Sequence, residues 1–323
     1  MKIKKYKKIF IAGHNGMVGS SILRFAKKNK LANEIITVNR DKLDLTDKLK
    51  TFNFLKKNSP EVVIICAAKV GGIFANNKYP ADFLLNNLEI QNNIISGCHK
   101  LGIKKILFLG SSCIYPKFYY KKNKSFSEEH LLTGYLEQTN EPYAIAKISG
   151  IKLCESYNRQ HNMDYRSIIP CNLYGPNDNY HPKNSHVIPA LIRKFIYAKE
   201  KKMKEVFVWG SGNVKREFLH VDDLAKAVFI ILSLTKKRYK NLTSEQQTHI
   251  NVGSGKEISI KDLSKLICKI IKYDCILSFD KSKPDGTKSK LLNIKKILST
   301  DWEPDISLSK GISSIIERKD YNF

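Results

Sequence analysis

Ile9-Phe10-Ile11-Ala12-Gly13-His14-Asn15-Gly16-Met17-Val18-Gly19 decides how the rest of the chain is read. Its first four residues are the short apolar run of a strand buried on both faces. Three glycines follow at GxxGxxG spacing, and a helix-like stretch runs over residues 18–28. Strand, glycine loop and helix in that order form the phosphate-binding opening of a dinucleotide fold. Gly13 suits the tight turn, Gly16 lets backbone approach a pyrophosphate, and Gly19 lets helix and strand pack closely. The helix N-terminus adds unbonded N–H groups and partial positive charge. His14, Asn15, Met17 and Val18 complete the cofactor loop.

Working outward, residues 35–38, 62–67 and 106–110 read as further buried parallel strands. Residues 82–99 read as a helix, with Phe83, Leu84, Leu88, Ile94 and Ile95 near helical spacing. This alternation predicts an α/β fold: a Rossmann-type doubly wound parallel sheet. The second half changes character. Residues 172–187 form a loop rich in Asn, His, Pro and Tyr. Helices are expected at 191–199 and 224–232, and strands at 206–208 and 250–252. Asp222 and Asp223 are expected to cap the helix beginning at Leu224. The division expected is a dinucleotide lobe, residues 1–175 plus about 217–253. A smaller α/β substrate lobe would take about 176–216 plus 254–323.

Some 20 residues beyond the glycines, the second strand runs into Asn39-Arg40-Asp41. An NAD site usually places an acid there for the ribose hydroxyls. Arg40 suits a 2′-phosphate instead, so NADP(H) is the expected cofactor. Asp41, Asp44 and Leu45 are placed on the same adenosine side.

Composition bounds the function. The 323 residues carry a formal charge of +26, yet the lysines are spread along the whole length. They do not alternate with aromatics along one stripe, so no nucleic-acid partner is expected. A positive field still favours anionic dinucleotides and nucleoside-diphosphate sugars. No apolar run reaches the ~18 residues of a membrane span, and no signal-peptide pattern opens the chain. A cytoplasmic enzyme with no membrane contact is expected. Seven cysteines at 66, 98, 113, 154, 171, 268 and 275 form neither a CxxC pair nor a metal-type cluster. No disulfide framework and no metal are expected.

Tyr143-Ala144-Ile145-Ala146-Lys147 puts a phenol and an ammonium four apart, on one helix face. A phenol titrates near roughly 10, and an adjacent cation is expected to lower that value. Ser111 and Ser112, after the fourth strand, can bond a carbonyl beside Tyr143. Ser, Tyr and Lys with the glycine loop form the triad arrangement of the short-chain dehydrogenase/reductase superfamily.

Longer blocks narrow this. Residues 67–73 (AAKVGGI), 79–83 (YPADF), 110–116 (GSSCIYP), 140–147 (NEPYAIAK) and 184–191 (NSHVIPAL) resemble the GDP-fucose synthase family almost word for word. Residues 153–160, 217–223 and 283–287 (KPDGT) extend the likeness to most of the chain. The resemblance implies a bifunctional epimerase/reductase acting on GDP-4-keto-6-deoxy-D-mannose to give GDP-L-fucose. By resemblance, Cys113 and His186 form the acid–base couple at C3 and C5, both types able to exchange protons near neutral pH. Tyr143 protonates the C4 oxyanion, Lys147 supports Tyr143 and the nicotinamide ribose, and Ser111 orients the carbonyl. The resemblance also places Leu109, Gly110, Ser112, Pro170, Cys171, Asn172, Leu173 and His186 along the cofactor. Lys194, Trp209, Arg216 and Asp285 fall on GDP-sugar positions, with the arginine fork suited to diphosphate. It suggests a homodimer formed through the helices near 82–99 and 143–160. Asn15 and Lys194 stand where some relatives carry arginine. Residues 118–125 are a basic insert with no assigned role. Two other readings compete: a 4-epimerase or 4,6-dehydratase with bound NAD, and a non-catalytic RNA-binding relative.

Overall fold

A computed structural model describes residues 3–117, 125–182, 184–282, 285 and 287–321. Residues 118–124 of the basic insert, and Lys283, Pro284 and Gly286 of the KPDGT block, lie outside the described residues.

The chain runs β1 (Tyr6–Ala12), α1 (Met17–Lys28), β2 (Ala32–Ile36), α2 (Lys48–Asn58), β3 (Val62–Ile65), α3 (Ile73–Lys78), α4 (Pro80–Lys100) and β4 (Lys105–Leu109). It continues α5 (Glu141–His161), β5 (Asp164–Pro170), β6 (Asn172–Tyr174), α6 (Val187–Glu200), β7 (Glu205–Trp209), β8 (Lys215–His220), α7 (Val221–Ser233) and α8 (Lys236–Leu242). It closes with β9 (His249–Val252), β10 (Glu257–Ser259), α9 (Ile260–Ile270), β11 (Ile276–Asp280), α10 (Lys295–Leu298) and α11 (Leu308–Glu317).

Six strands make one parallel sheet in the order β2-β1-β3-β4-β5-β9. All four residues of β3 are buried, as helices on both faces require. Helix α1 packs with α7, while α2, α4 and α5 pack together as another helix layer. The strand order reverses between β1 and β3. Ligands bind outside the carboxyl ends of such sheets at that reversal, and the glycine loop sits there.

A second core gathers Tyr174, Ile188, Ile192, Phe195, Phe218 and Leu263. Its strands form a three-stranded set, β10-β8-β6, and a parallel pair, β11-β7. The chain crosses between cores at the end of β5. Cys171 N–H donates to the Val252 carbonyl at 3.0 Å, and β6 then pairs with β8. Leu224, Val228 and Ile250 return to the first core. Leu292, Ile297 and Trp302 return again, inside the stretch that the sequence assigns to the smaller lobe. The Trp302 indole N–H fixes this second return by donating to the Asp223 carbonyl at 3.1 Å.

Two local expectations are corrected. The second strand ends at Ile36, so Arg40 lies in the following loop. Helix α7 starts at Val221 and is capped by His220, whose ring accepts from Asp222 N–H at 3.2 Å. The two aspartates are occupied elsewhere. Asp222 bonds Ser21 and Arg24, while Asp223 accepts from the N–H groups of Asp305 and Ile306. No helix among the described residues is long and apolar enough to cross a membrane.

Candidate active site

The glycine loop is built for close approach. Gly13 has φ +88°, and a Cβ there would lie 2.6 Å from Ala67 N, at the end of β3. A Cβ on Gly19 would lie 2.1 Å from the Gly13 carbonyl oxygen, so the loop folds directly onto α1. Gly16 is less crowded: a Cβ there would make only ordinary van der Waals contact, 3.7 Å from the Gly13 carbonyl oxygen. It begins α1 with no side-chain cap and no acid in the first turn. That end of α1 therefore keeps N–H groups and positive potential for an anion. His14 Nδ1 is buried without a hydrogen-bond partner. Uncrowded glycine, uncapped helix and orphaned imidazole nitrogen together fit a dinucleotide pyrophosphate. Met17 and Val18 form the first turn of α1 beneath this loop.

Asn15 Nδ2 donates to Asn39 Oδ1 at 3.1 Å, tying the glycine loop to the loop after β2. Arg40 stands 82% exposed there, 3.6 Å from Asp44. Asp44 accepts from Thr46 N–H and hydroxyl, which hold its carboxyl below the usual range. Asp41 is exposed beside it, and Leu45 is half-buried against the first core. This loop can reach a 2′-phosphate.

The candidate catalytic wall stands at the carboxyl end of β4. Gly110 lies so close to β5 that a Cβ would meet Ile169 at 2.4 Å. Ser111 is extended, and residues Ser112–Ile114 form one 3-10 turn. The Cys113 N–H donates to Ser111 Oγ at 3.4 Å, so the hydroxyl and the thiol leave the same turn. Tyr143 and Lys147 come from the first two turns of α5. Lys147 is 4% exposed, and its ammonium donates to the Leu109 carbonyl at 2.9 Å. The ammonium also sits 5.7 Å from the centre of the Tyr143 ring. Phe83 on α4 meets that ring edge-on at 6.3 Å.

Burial sets the protonation of this wall. It pulls the Lys147 pKa down to about 8, while the thiols of Cys113 and Cys66 pull the other way. It pushes the Tyr143 phenol well up, aided by Cys113. The expected lowering of that phenol is thus reversed, because desolvation outweighs an ammonium turned toward Leu109. Burial also raises the Cys113 thiol, opposed by Ser111, Lys290 and Lys147. His186 comes from the other core as the N-cap of α6. Its loop lies against the segment after β3, where Gly72 N–H donates to the Asn184 carbonyl at 3.3 Å. Desolvation lowers the His186 imidazole. The phenol of Tyr143 and the thiol of Cys113 thus share their surroundings with one buried ammonium, that of Lys147.

The crossover Pro170, Cys171, Asn172 and Leu173 joins the cores beside this wall. Asn172 Nδ2 donates to the Glu217 carbonyl at 2.9 Å. From the second core, Lys194 on α6 donates to the Phe207 carbonyl at 2.7 Å. Trp209 ends β7 with 65% of its surface exposed. Arg216 on β8 donates to the carbonyls of Lys215 at 2.8 Å, Thr287 at 2.6 Å and Asp285 at 3.5 Å. Asp285 Oδ1 accepts from Ser211 N–H at 2.7 Å, which holds its carboxyl low. Arg216 and Asp285 therefore share one corner.

Two residues in this region escape the sequence reading. Lys290 is half-buried, and its charge acts on both Cys113 and Arg216. Buried Glu137 accepts from Lys117 at 3.3 Å and Thr287 at 3.2 Å. Lys290 sits in a Lys-rich stretch where no spacing distinguishes it, and Glu137 has no motif around it.

The chain belongs to the NAD-dependent epimerase/dehydratase family, whose model matches residues 9–253. Within that family its relatives narrow the placement to the GDP-L-fucose synthases. It is 49% identical to GDP-L-fucose synthase of Escherichia coli (strain K12), the match covering 95% of each chain. It is also 49% identical to GDP-L-fucose synthase 1 of Arabidopsis thaliana, over 96% of this chain and 92% of that one. Among solved structures it is similar to MlghC, a GDP-mannoheptose C4 reductase from Campylobacter jejuni with NADP bound. That likeness has a TM-score of 0.85 and 34% identity, covering 99% of this chain and 100% of that one.

Proposed function

We propose that the protein converts GDP-4-keto-6-deoxy-D-mannose to GDP-L-fucose, epimerising C3 and C5 and then reducing C4 with NADPH. One observation carries this reading. Cys113 leaves the same turn as Ser111 and is electrostatically coupled to both Tyr143 and Lys147. A 4-epimerase or dehydratase does not need a thiol there. The near-half identity to GDP-L-fucose synthases over the full length supports it further.

The keto group acidifies the protons on C3 and C5. Cys113, from the turn after β4, and His186, from the N-terminus of α6, exchange them. Cys113 must first lose its own proton to act as base, and the charges of Lys290 and Lys147 favour that loss. Ser111 bonds the C4 oxygen. Bound NADPH supplies the hydride for C4. Tyr143 then gives its proton to the C4 oxygen, and its raised pKa keeps that proton in place until needed. Lys147 keeps a positive charge beneath the phenol. The glycine loop residues 13–19 and Arg40 hold the dinucleotide. Lys194, Trp209, Arg216 and Asp285 hold the GDP moiety. Leu85 and Ile145 are exposed on α4 and α5, which supports a homodimer through these helices.

The test mixes purified protein with NADPH and GDP-4-keto-6-deoxy-D-mannose and identifies the product. NADPH consumption with GDP-L-fucose formed is expected. A product epimerised at C4 alone, or no consumption of NADPH, overturns the reading. In deuterated water, Cys113→Ser is expected to block exchange at C3 and C5, and wild-type exchange in that variant would remove Cys113 from its role.

A further inference from the structure

A second chemistry-bearing cluster lies in the other core, at the end of α9. The helix stops in a six-residue C-terminal motif. Tyr273 N–H donates back to the Cys268 carbonyl at 3.0 Å, and Lys272 N–H to the Lys269 carbonyl at 3.2 Å. Lys272 takes the left-handed conformation at φ +53° that such a stop requires. The chain therefore doubles back over the last turn of α9. On the far side Ile276 N–H donates to the Lys204 carbonyl at 2.9 Å, and β11 begins its pairing with β7. Held at both ends, Cys275 comes to rest on Cys268 with the two sulfurs 4.0 Å apart.

These thiols line a surface cavity of about 820 Å³. Lys261, Lys265, Lys269 and Lys272 line it as well, against one acid, Asp274. None of these residues belongs to the site described above. Cys275 is half-exposed and Cys268 is buried. The remaining cysteines are buried, apart from the partly buried Cys66.

We propose that Cys268 and Cys275 form a reversible disulfide site that is oxidised by an anionic low-molecular-weight disulfide entering this lysine-lined cavity. Cys275, the accessible sulfur, attacks one sulfur of the small disulfide as thiolate. That bond breaks and one small thiol leaves. Cys268 then attacks the Cys275 sulfur of the mixed disulfide and releases the second small thiol. Two protein thiols are oxidised by two electrons, one external disulfide is reduced, and the two protons end on the released thiols. A modest side-chain rotation brings the sulfurs from contact to the ~2 Å of a bond. Burial pushes both thiols up, Cys268 to about 12. The Cys268 thiol hydrogen-bonded to Cys275 favours charge on the accessible sulfur. The lysines give the cavity its preference for a negatively charged reagent.

The test incubates the full-length protein with glutathione disulfide, which is anionic, or cystamine, which is cationic. Free thiols are then alkylated and the peptides mapped by mass. A Cys268–Cys275 linkage with loss of about 2 Da is expected. Glutathione disulfide is expected to react about tenfold faster than cystamine at low ionic strength, with the gap closing in salt. Cys268→Ser should stop at a mixed disulfide on Cys275, and Cys275→Ser should give neither product. No linkage, a linkage through another cysteine, or cystamine reacting as fast as glutathione disulfide overturns the proposal. NADPH turnover is not the readout, so this result stands apart from the test of the sugar chemistry.

Discussion

Lys147 and Lys194 are both lysines of the proposed site, but the two cores enclose them to different degrees. Lys147 is fully enclosed on α5, bonded to the Leu109 carbonyl at the end of β4 and set near two rings. Lys194 is half-buried, and the carbonyl it bonds belongs to neighbouring β7. Arg216 likewise spends its fork on three backbone carbonyls. On the proposed reading, the first core presents its reacting groups in finished positions on a helix and a strand end, which is what transition-state stabilisation demands. On the same reading, the second presents its proposed binding groups with their charges on backbone carbonyls, bonds that a ligand's phosphates would have to replace. Chemistry would then be preorganised on one side and recognition exchangeable on the other.

The largest effect should come from breaking the finished side. Tyr143→Phe removes the proton source while leaving the ring and its Phe83 contact in place. Reductase kcat should fall by about 10³-fold or more, while C3/C5 exchange partly survives. Single-turnover NADPH oxidation and deuterium uptake measured on one preparation separate the two steps. Loss of both together would mean that Tyr143 also serves the epimerisation.

Next comes the pH dependence that enclosure imposes on Lys147. Burial has drawn its pKa down to about 8 from 10.5. The ammonium is present below that value and lost above it. Reductase kcat/KM should therefore fall on the alkaline side with a midpoint near 8, reaching roughly a tenfold loss one pH unit higher. Folding stability has the opposite sign. The folded state binds fewer protons at this site, so the cost of burying the charge is full below about 8 and relieved as pH rises toward 10.5. An alkaline activity loss without loss of fold is the expected signature, read from kcat/KM and circular dichroism across the same pH series.

The contrast between the cores also explains what the sequence discloses. Strands β1, β3 and β4 are legible because a strand covered on both faces must be apolar throughout. The glycine loop and the Tyr143–Lys147 pair are legible because each spacing has one geometric meaning. Strand β5 goes unread: Asp164 and Arg166 interrupt its apolar pattern, and only the fold shows that they pair with each other at 2.7 Å. The turns of the second core, including the Cys268–Cys275 contact, depend on backbone bonds that composition does not encode. The direction of the Tyr143 shift was also beyond the sequence, since spacing gives the neighbour of a group and not its burial.

On the exchangeable side the effects should be smaller and fall on binding. Arg216→Ala should raise KM for the GDP-sugar by roughly 10- to 100-fold with kcat nearly unchanged. Arg216→Lys keeps the charge and loses the fork, so it should recover only part of the loss. A drop in kcat equal to the drop in kcat/KM would instead place Arg216 among the groups that act on the transition state, and would erase the difference between the two cores at this position.

The smallest effect belongs to Arg40, which lies in the first core's territory but resembles the second side in kind. It is largely exposed, and its salt bridge to Asp44 is 3.6 Å long. An exposed pair contributes little to the fold, so its removal should leave stability unchanged. Its proposed work is selective: a 2′-phosphate is present in NADPH and absent in NADH. Arg40→Ala should raise KM for NADPH about tenfold, leave KM for NADH where it was, and flatten the salt dependence of NADPH binding. If the ratio of the two KM values does not move, the 2′-phosphate is read elsewhere. Asn15, already bonded to Asn39 in the adjoining loop, would then be the next residue to change.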